Sequence, residues 1–170
     1  MDTRLAITSR RDERAYLPSR LSPEVVERIL DAGRLAGSAR NRQPWTFVVV
    51  EDDAARSRLA GAVFVPENVL GASLVVAVTV EGSGSVLFDA GRAAQNMLLV
   101  AWNEGVASCP NGVADAARAD AAIGREGEGQ IAIVLSFGLP AKARDVAART
   151  ADDWSERANR RSLADVVRKV

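Results

Sequence analysis

The seven residues from Leu74 to Val80, LVVAVTV, constrain this chain more than any other stretch. The run is continuous, rich in valine and free of charge. β-Branched side chains favour strands. A strand with apolar residues on both faces, rather than at alternate positions, is buried on both sides; here Thr79 is the one polar residue of the seven. The run therefore predicts a central strand with packed layers above and below it. Thr46 to Val50 reads as a second strand, and Ile131 to Phe137 (IAIVLSF) as a third buried one, ended by Gly138 and Pro140.

Helical spacing accounts for much of the rest. Residues 3 to 9 suit a short helix, and Leu17-Pro18-Ser19 closes that region because proline disfavours a helical residue before it. Ser22-Pro23-Glu24 is a helix start: a capping hydroxyl, a proline suited to the first turn, and an acid at the positive end. Val25, Val26, Ile29, Leu30, Gly33 and Ala36 mark its buried face, and Gly37 is expected to end it. Asp52 to Ala62 predicts a helix capped by Asp52 or Asp53. Ser85 to Asn103 is the longest helical signal, with a stripe of mostly small residues at Ala90, Ala94, Met97 and Ala101. A helix apolar nearly all round is buried inside a domain or across a subunit interface. Gly105 to Gly112 (GVASCPNG) reads as a loop, Ala114 to Ile123 as a short helix, and Ser162 to Val170 as a final helical pattern. Asp152 and Asp153 fit a helix start better than an acid pair.

A chain of 170 residues predicts one domain spanning 1–170, long enough to bury a core without cross-links. Acidic and basic residues balance at 22 each, which argues against nucleic-acid binding driven by bulk charge. Cys109 is the one cysteine, so no disulfide can form within the chain, and a reducing cytoplasm suits it. The N-terminus has no long apolar core, and no apolar run is long enough to span a membrane. Histidine is absent. Serine and cysteine sites that depend on histidine are thereby excluded, as is a histidine-bound metal. Chemistry here falls to carboxylates and arginines, or to a cofactor.

Three places could hold a ligand. The loop Gly37-Ser38-Ala39-Arg40-Asn41-Arg42-Gln43 is dense in hydrogen-bonding groups and lies between a helix and an apolar strand, closed by Pro44 and Trp45. Ligand contacts concentrate on loops held this way, although an ordinary connection is polar too. Arg10, Arg11 and Arg14 near one terminus, and Arg157, Arg160 and Arg161 near the other, match phosphate in charge and fork geometry. They serve that role only if the termini meet; otherwise they are solvated arginines paired with acids such as Asp12, Glu13 and Glu156. Asn111-Gly112 allows close approach of backbone to a ligand, or is a plain turn. Cys109 reads as a small buried residue, and Trp45 as core.

Taken together, the segments resemble the nitroreductase family of flavoproteins. RRDER at 10–14 looks like its N-terminal arginine motif. LAGSARNRQPWTFVVV resembles its helix-loop-strand signature, DAGRAAQNMLLVAWNEG its central interface helix, SFGLP its strand-ending Gly-x-Pro, and RRSLADVV its basic C-terminal motif. The resemblance implies an α+β three-layer sandwich, a central mixed β-sheet flanked by helices, and an intertwined homodimer with FMN between subunits. Arg10, Arg14 and Arg160 or Arg161 would contact the FMN phosphate, with Arg11 in the same motif. Ser38, Ala39 and Asn41 would line the ring edge from the partner subunit. Amides near Asn111 and Gly112 would face the redox-active ring nitrogen, and Asn68 falls near a ribityl-binding position. The implied activity is ping-pong hydride transfer from NAD(P)H to nitroaromatic, quinone or related electron-poor acceptors. Two alternatives stand beside it: a specialised flavin enzyme, for reductive dehalogenation or flavin fragmentation, and a non-enzymatic protein binding flavin or deazaflavin. The departures are Asp12 in place of serine, Gly37 and Ser162 in place of prolines, and Asn111 where an acid is frequent.

Overall fold

The computed structural model describes residues 1–170. Its elements in chain order are α1 (Thr3–Ser9), α2 (Pro23–Arg34), a 3-10 turn (Ala39–Asn41), β1 (Trp45–Val49), α3 (Asp53–Ala60), α4 (Pro66–Leu70), β2 (Leu74–Val80), α5 (Val86–Asn103), β3 (Ala107–Asn111), α6 (Ala116–Ala122), β4 (Gln130–Gly138), α7 (Ala151–Glu156) and α8 (Leu163–Val166). The strands form one sheet in the order β1-β2-β4-β3.

β2 is buried at all seven positions, as its composition requires. Its pleat sorts the core into two clusters. Leu74, Val76, Val78 and Val80 face α2 and α5, where Ile29, Ala90, Ala94, Met97, Leu98 and Ala101 close over them. Val75 and Ala77 face the other way, onto Leu59, Ala60, Val69, Ala119 and Ala122 of α3, α4 and α6. This makes three layers. Each fully buried valine contributes roughly 1.5–3 kcal/mol relative to exposure. The small stripe on α5 lets α2 pack close, and Gly33 of α2 is where Met97 and Phe47 press in.

Three expectations need correction. Residues 107–111 form a strand, not a loop: β3 pairs with β4 from Ala107↔Gly138 to Asn111↔Val134. Pro110 concealed it, but β3 is an edge strand, where proline is tolerated. Within the chain the sheet is antiparallel throughout rather than mixed. β2 and β3 do run parallel, joined through α5, but β4 lies between them and opposes both. Finally, α2 ends at Arg34, three residues before Gly37. Leu35 caps it in right-handed conformation, with its N–H donating to Asp31 and Gly33 carbonyls.

The capping expectations hold. Ser22 accepts from Val25 N–H, and Asp52 from Ala55 N–H. Asp153 sits in a capping box with Thr150, which holds its carboxyl below the usual carboxylate range. No helix is long and apolar enough to cross a membrane.

Candidate functional site

α1 ends at Ser9, and Arg10 carries the chain out of it. The arm that follows is held against β3 by Glu13 N–H donating to Ser108 O at 3.0 Å. The Arg10 side chain is only 12% exposed. Its Nη2 lies 2.8 Å from Asp12 Oδ1, yet Nε and Nη2 make no directional hydrogen bond. The contact is an ion pair with poor angles. A buried donor left unmatched costs about 1–3 kcal/mol, so Arg10 is poised for a further acceptor. Arg14 is exposed and lies within electrostatic reach of Cys109 and Tyr16.

Arg11 points elsewhere. Its guanidinium donates to the carbonyls of Thr8 (2.6 Å), Arg10 (2.8 Å) and Trp154 (3.1 Å) and lies over the Trp154 ring. Its donors serve the scaffold, tying α1 to α7, and the Arg4–Asp152 ion pair does the same. Burial, then the charges of Arg144 and Arg160, hold Arg11 below its ordinary pKa. Of the C-terminal cluster, Arg160 comes within electrostatic reach of Arg11. Arg161 donates to Asp165 O at 2.7 Å and so finishes its own helix.

Beside the arm lies a buried polar chain. Asn68, on α4, donates from Nδ2 to Asn111 Oδ1 at 2.9 Å. Asn111 Nδ2 donates to Cys109 O, Val134 O and Ser136 Oγ at 3.0, 3.2 and 3.0 Å. Ser136 Oγ meets the Tyr16 hydroxyl at 3.0 Å. Asn68, Asn111 and Ser136 are all buried. Burial also pushes Tyr16 up to about 12, and it raises the Cys109 thiol. Cys109 is thus a protonated core residue, not a nucleophile. Gly112 follows at the surface, and no group in the chain accepts its N–H. A side chain there would press on the Phe64 ring, at 3.1 Å from its nearest atom.

The loop after α2 is built by different means. Arg40, Asn41 and Gln43 have φ of 55°, 55° and 50°. Three non-glycine residues in the left-handed region are costly, and such strain collects at functional loops. Ser38 Oγ accepts from Gln43 N–H at 2.8 Å, and the Ala39 N–H donates to Asp89 Oδ2 at 3.1 Å. Asp89, in the first turn of α5, is a buried carboxylate. Gly37 makes room for the Arg92 guanidinium, one turn further along α5.

The structure brings together Arg10, Arg14, Asn68, Asn111, Gly112 and the neighbourhood of Arg160. It sets Ser38, Ala39 and Asn41 apart. The arm sits at the far end of α5, where Trp102 Nε1 donates to Ser9 Oγ at 2.9 Å, and the loop sits at Asp89. At 1.5 Å per residue those points are about 20 Å apart. Two open grooves, of about 760 and 990 Å³, lie along β1 and α2, and none of these residues lines them. The sequence reading missed Tyr16, Asp89 and Ser136. Their only signals were a lone tyrosine, an acid in an apolar helix and a serine in an apolar strand.

Comparison with known proteins agrees. The model of the nitroreductase family matches residues 7–81 and 76–139. A protein of Archaeoglobus fulgidus provisionally named NADH dehydrogenase/NAD(P)H nitroreductase is 34% identical over 113 residues, 63% of this chain and 65% of the relative. The major NAD(P)H-flavin oxidoreductase of Aliivibrio fischeri is 41% identical over 54 residues, 31% of this chain and 25% of the relative. The match thus spans less than two thirds of these relatives. A provisionally named nitroreductase from Desulfovibrio desulfuricans, solved in complex with FMN, superposes with a TM-score of 0.83 at 28% identity, over 100% of this chain and 98% of that one.

Proposed function

Since this chain belongs to the nitroreductase family, we propose that it is an FMN-dependent oxidoreductase drawing on NAD(P)H and acting as a homodimer. Bound FMN would supply hydride chemistry between NAD(P)H and a nitroaromatic, quinone or related electron-poor acceptor. The observation that carries this reading is Arg10, a buried guanidinium whose Nε and Nη2 lack hydrogen-bond acceptors.

The residues present suit such a group. Arg10 and Arg14, with Arg160 approaching from the C-terminal side, would hold the phosphate. Gly112 offers an exposed, unengaged N–H that would donate to the redox-active ring nitrogen and so tune it. Asn68 would meet the ribityl side. Arg11 and Arg161 would stabilise the frame around them. Ser38, Ala39 and Asn41, some 20 Å away along α5, would serve the partner's site. The dimer is supported by apolar surface that a single chain leaves open: Leu87 and Phe88 on α5 are 52% and 69% exposed, and Leu163, Val166 and Val167 near the C-terminus are exposed too.

A second reading has its own support. Asp12 already neutralises Arg10, so the phosphate would have to displace that contact. This favours weak FMN binding, and with it a binding protein for flavin or deazaflavin. The test is the visible spectrum of the purified protein after FMN addition and desalting. Flavin retained near one per subunit, and bleached by NAD(P)H, supports the oxidoreductase. A colourless protein supports the second reading, and retained flavin that NAD(P)H leaves oxidised points to a specialised flavin enzyme.

A further inference from the structure

Resting on the FMN reading above, we infer that Asn68 faces the flavin as a hydrogen-bond acceptor, and that Asn111 is the positioning residue that sets it so. The argument starts at Val134 and Cys109. Their carbonyls accept only, and both lie against the Asn111 side chain, at 3.2 and 3.0 Å from Nδ2. The Asn111 amide can meet them one way round. Reversing it would set Oδ1 against two carbonyl oxygens, neither of which has a proton to offer it. Ser136 Oγ, also 3.0 Å from Nδ2, reinforces the choice, and the Tyr16 hydroxyl holds that serine from behind. Gly138 makes room for Tyr16, since a side chain there would meet its ring at 2.9 Å.

With Nδ2 committed, Asn111 turns Oδ1 toward Asn68. An acceptor at that point demands a donor, so Asn68 gives Nδ2 to it at 2.9 Å. The Asn68 Oδ1 is left over. It makes no hydrogen bond within the chain and is not among the fully buried unpartnered atoms, so it keeps an open side. The relay runs Tyr16, Ser136, Asn111, Asn68, and its end is an acceptor of fixed direction. Such an acceptor selects a donor on the ligand, either a ribityl hydroxyl or the N3–H of the ring. The relay also accounts for asparagine at 111. An ionised acid there would face two carbonyl oxygens with no protons to offer them.

A double-mutant cycle on FMN affinity, followed by flavin fluorescence, tests this. Asn68→Ala is expected to weaken FMN about tenfold, one neutral hydrogen bond. Asn111→Ala is expected to weaken it by a similar factor, and the double variant no further than Asn68→Ala alone. Ser136→Ala and Tyr16→Phe, smaller changes that keep the β3–β4 pairing, are expected to weaken FMN in the wild-type background and to do nothing in the Asn68→Ala background. The same variants should shift the visible flavin band by the same amount as Asn68→Ala, a signature that loss of fold alone does not produce. N3-methyl FMN separates the two donors: it binds weakly to wild type if Asn68 accepts from N3–H, and normally if it accepts from a hydroxyl. Losses that simply add in the double variants overturn the inference while FMN binding to wild type stands. Failure of wild type to bind FMN at all overturns the cofactor reading, and this inference with it.

Discussion

The two ends of α5 each carry residues of the proposed site, and they are held in opposite ways. At the Trp102 end, the arm and β3 are fixed by side chains drawn from all along the chain: Tyr16, Asn68, Asn111 and Ser136 join in one buried network. At the Asp89 end, a seven-residue loop is fixed mostly by its own backbone, with three residues in left-handed conformation and one tie to Asp89. The first end combines a hydrogen-bonded polar chain, Tyr16 to Asn68, which holds it rigid, with a neighbouring guanidinium, Arg10, whose buried Nε and Nη2 lack acceptors. The second stores strain, and a single carboxylate keeps it in place. Mutations at the first end should act through the ligand and through long-range packing, and at the second through local loop order.

The largest effect is expected at the first end. Arg10→Ala combined with Arg160→Ala removes two charged donors, each worth roughly 1.5–3 kcal/mol to an anionic acceptor. FMN affinity should fall at least a hundredfold by fluorescence titration while the variant keeps wild-type thermal stability. Unchanged flavin occupancy would end the assignment of a phosphate clamp. Asp89→Ala comes next. Losing the one acceptor for Ala39 N–H should lower stability by about 1–2 kcal/mol in chemical denaturation and speed amide exchange in residues 38–43. Asp89→Asn, which keeps an acceptor oxygen, should restore most of both. Equal damage from the two variants would show that the charge matters rather than the tie.

Tyr16 supplies a smaller, pH-dependent contrast. Its folded pKa is raised to about 12 from an ordinary 10.0. A raised value means that the protonated form stabilises the fold below pH 10 and that this stability is lost as pH rises toward 12. Denaturation between pH 10 and 12 should show that slope in wild type and lack it in Tyr16→Phe. The smallest effect is expected for Arg40→Gly, which relieves a left-handed residue on the strained loop. Stability should rise by less than about 1 kcal/mol, with no change at the arginine end. A loss instead would mean that the Arg40 side chain carries a contact that matters more than its backbone.

Local chemistry made much of this legible. LVVAVTV announced a doubly buried strand, and β2 runs over those same seven residues. Ser22 with Pro23, and Asp52, marked helix starts, because a cap is read by residues next to one another in the chain. β3 was not legible, since Pro110 reads as a turn until the sheet order shows that it lies on an edge. α4 was too short for helical periodicity to show, and it carries Asn68.

The site divides along the same line. The arginine motifs, the polar loop before Trp45 and the absence of any histidine were plain from residue type and near spacing. The fold settled the rest: that Arg160 comes within electrostatic reach of Arg11, that Arg11 faces the frame, and that Asn111 turns its amide inward. Those outcomes depend in part on groups that arrive from more than twenty residues away, as Trp154 O does at Arg11 and Val134 O and Ser136 Oγ do at Asn111. A donor's role is set by the acceptor that reaches it, and for a buried donor that acceptor comes from the fold.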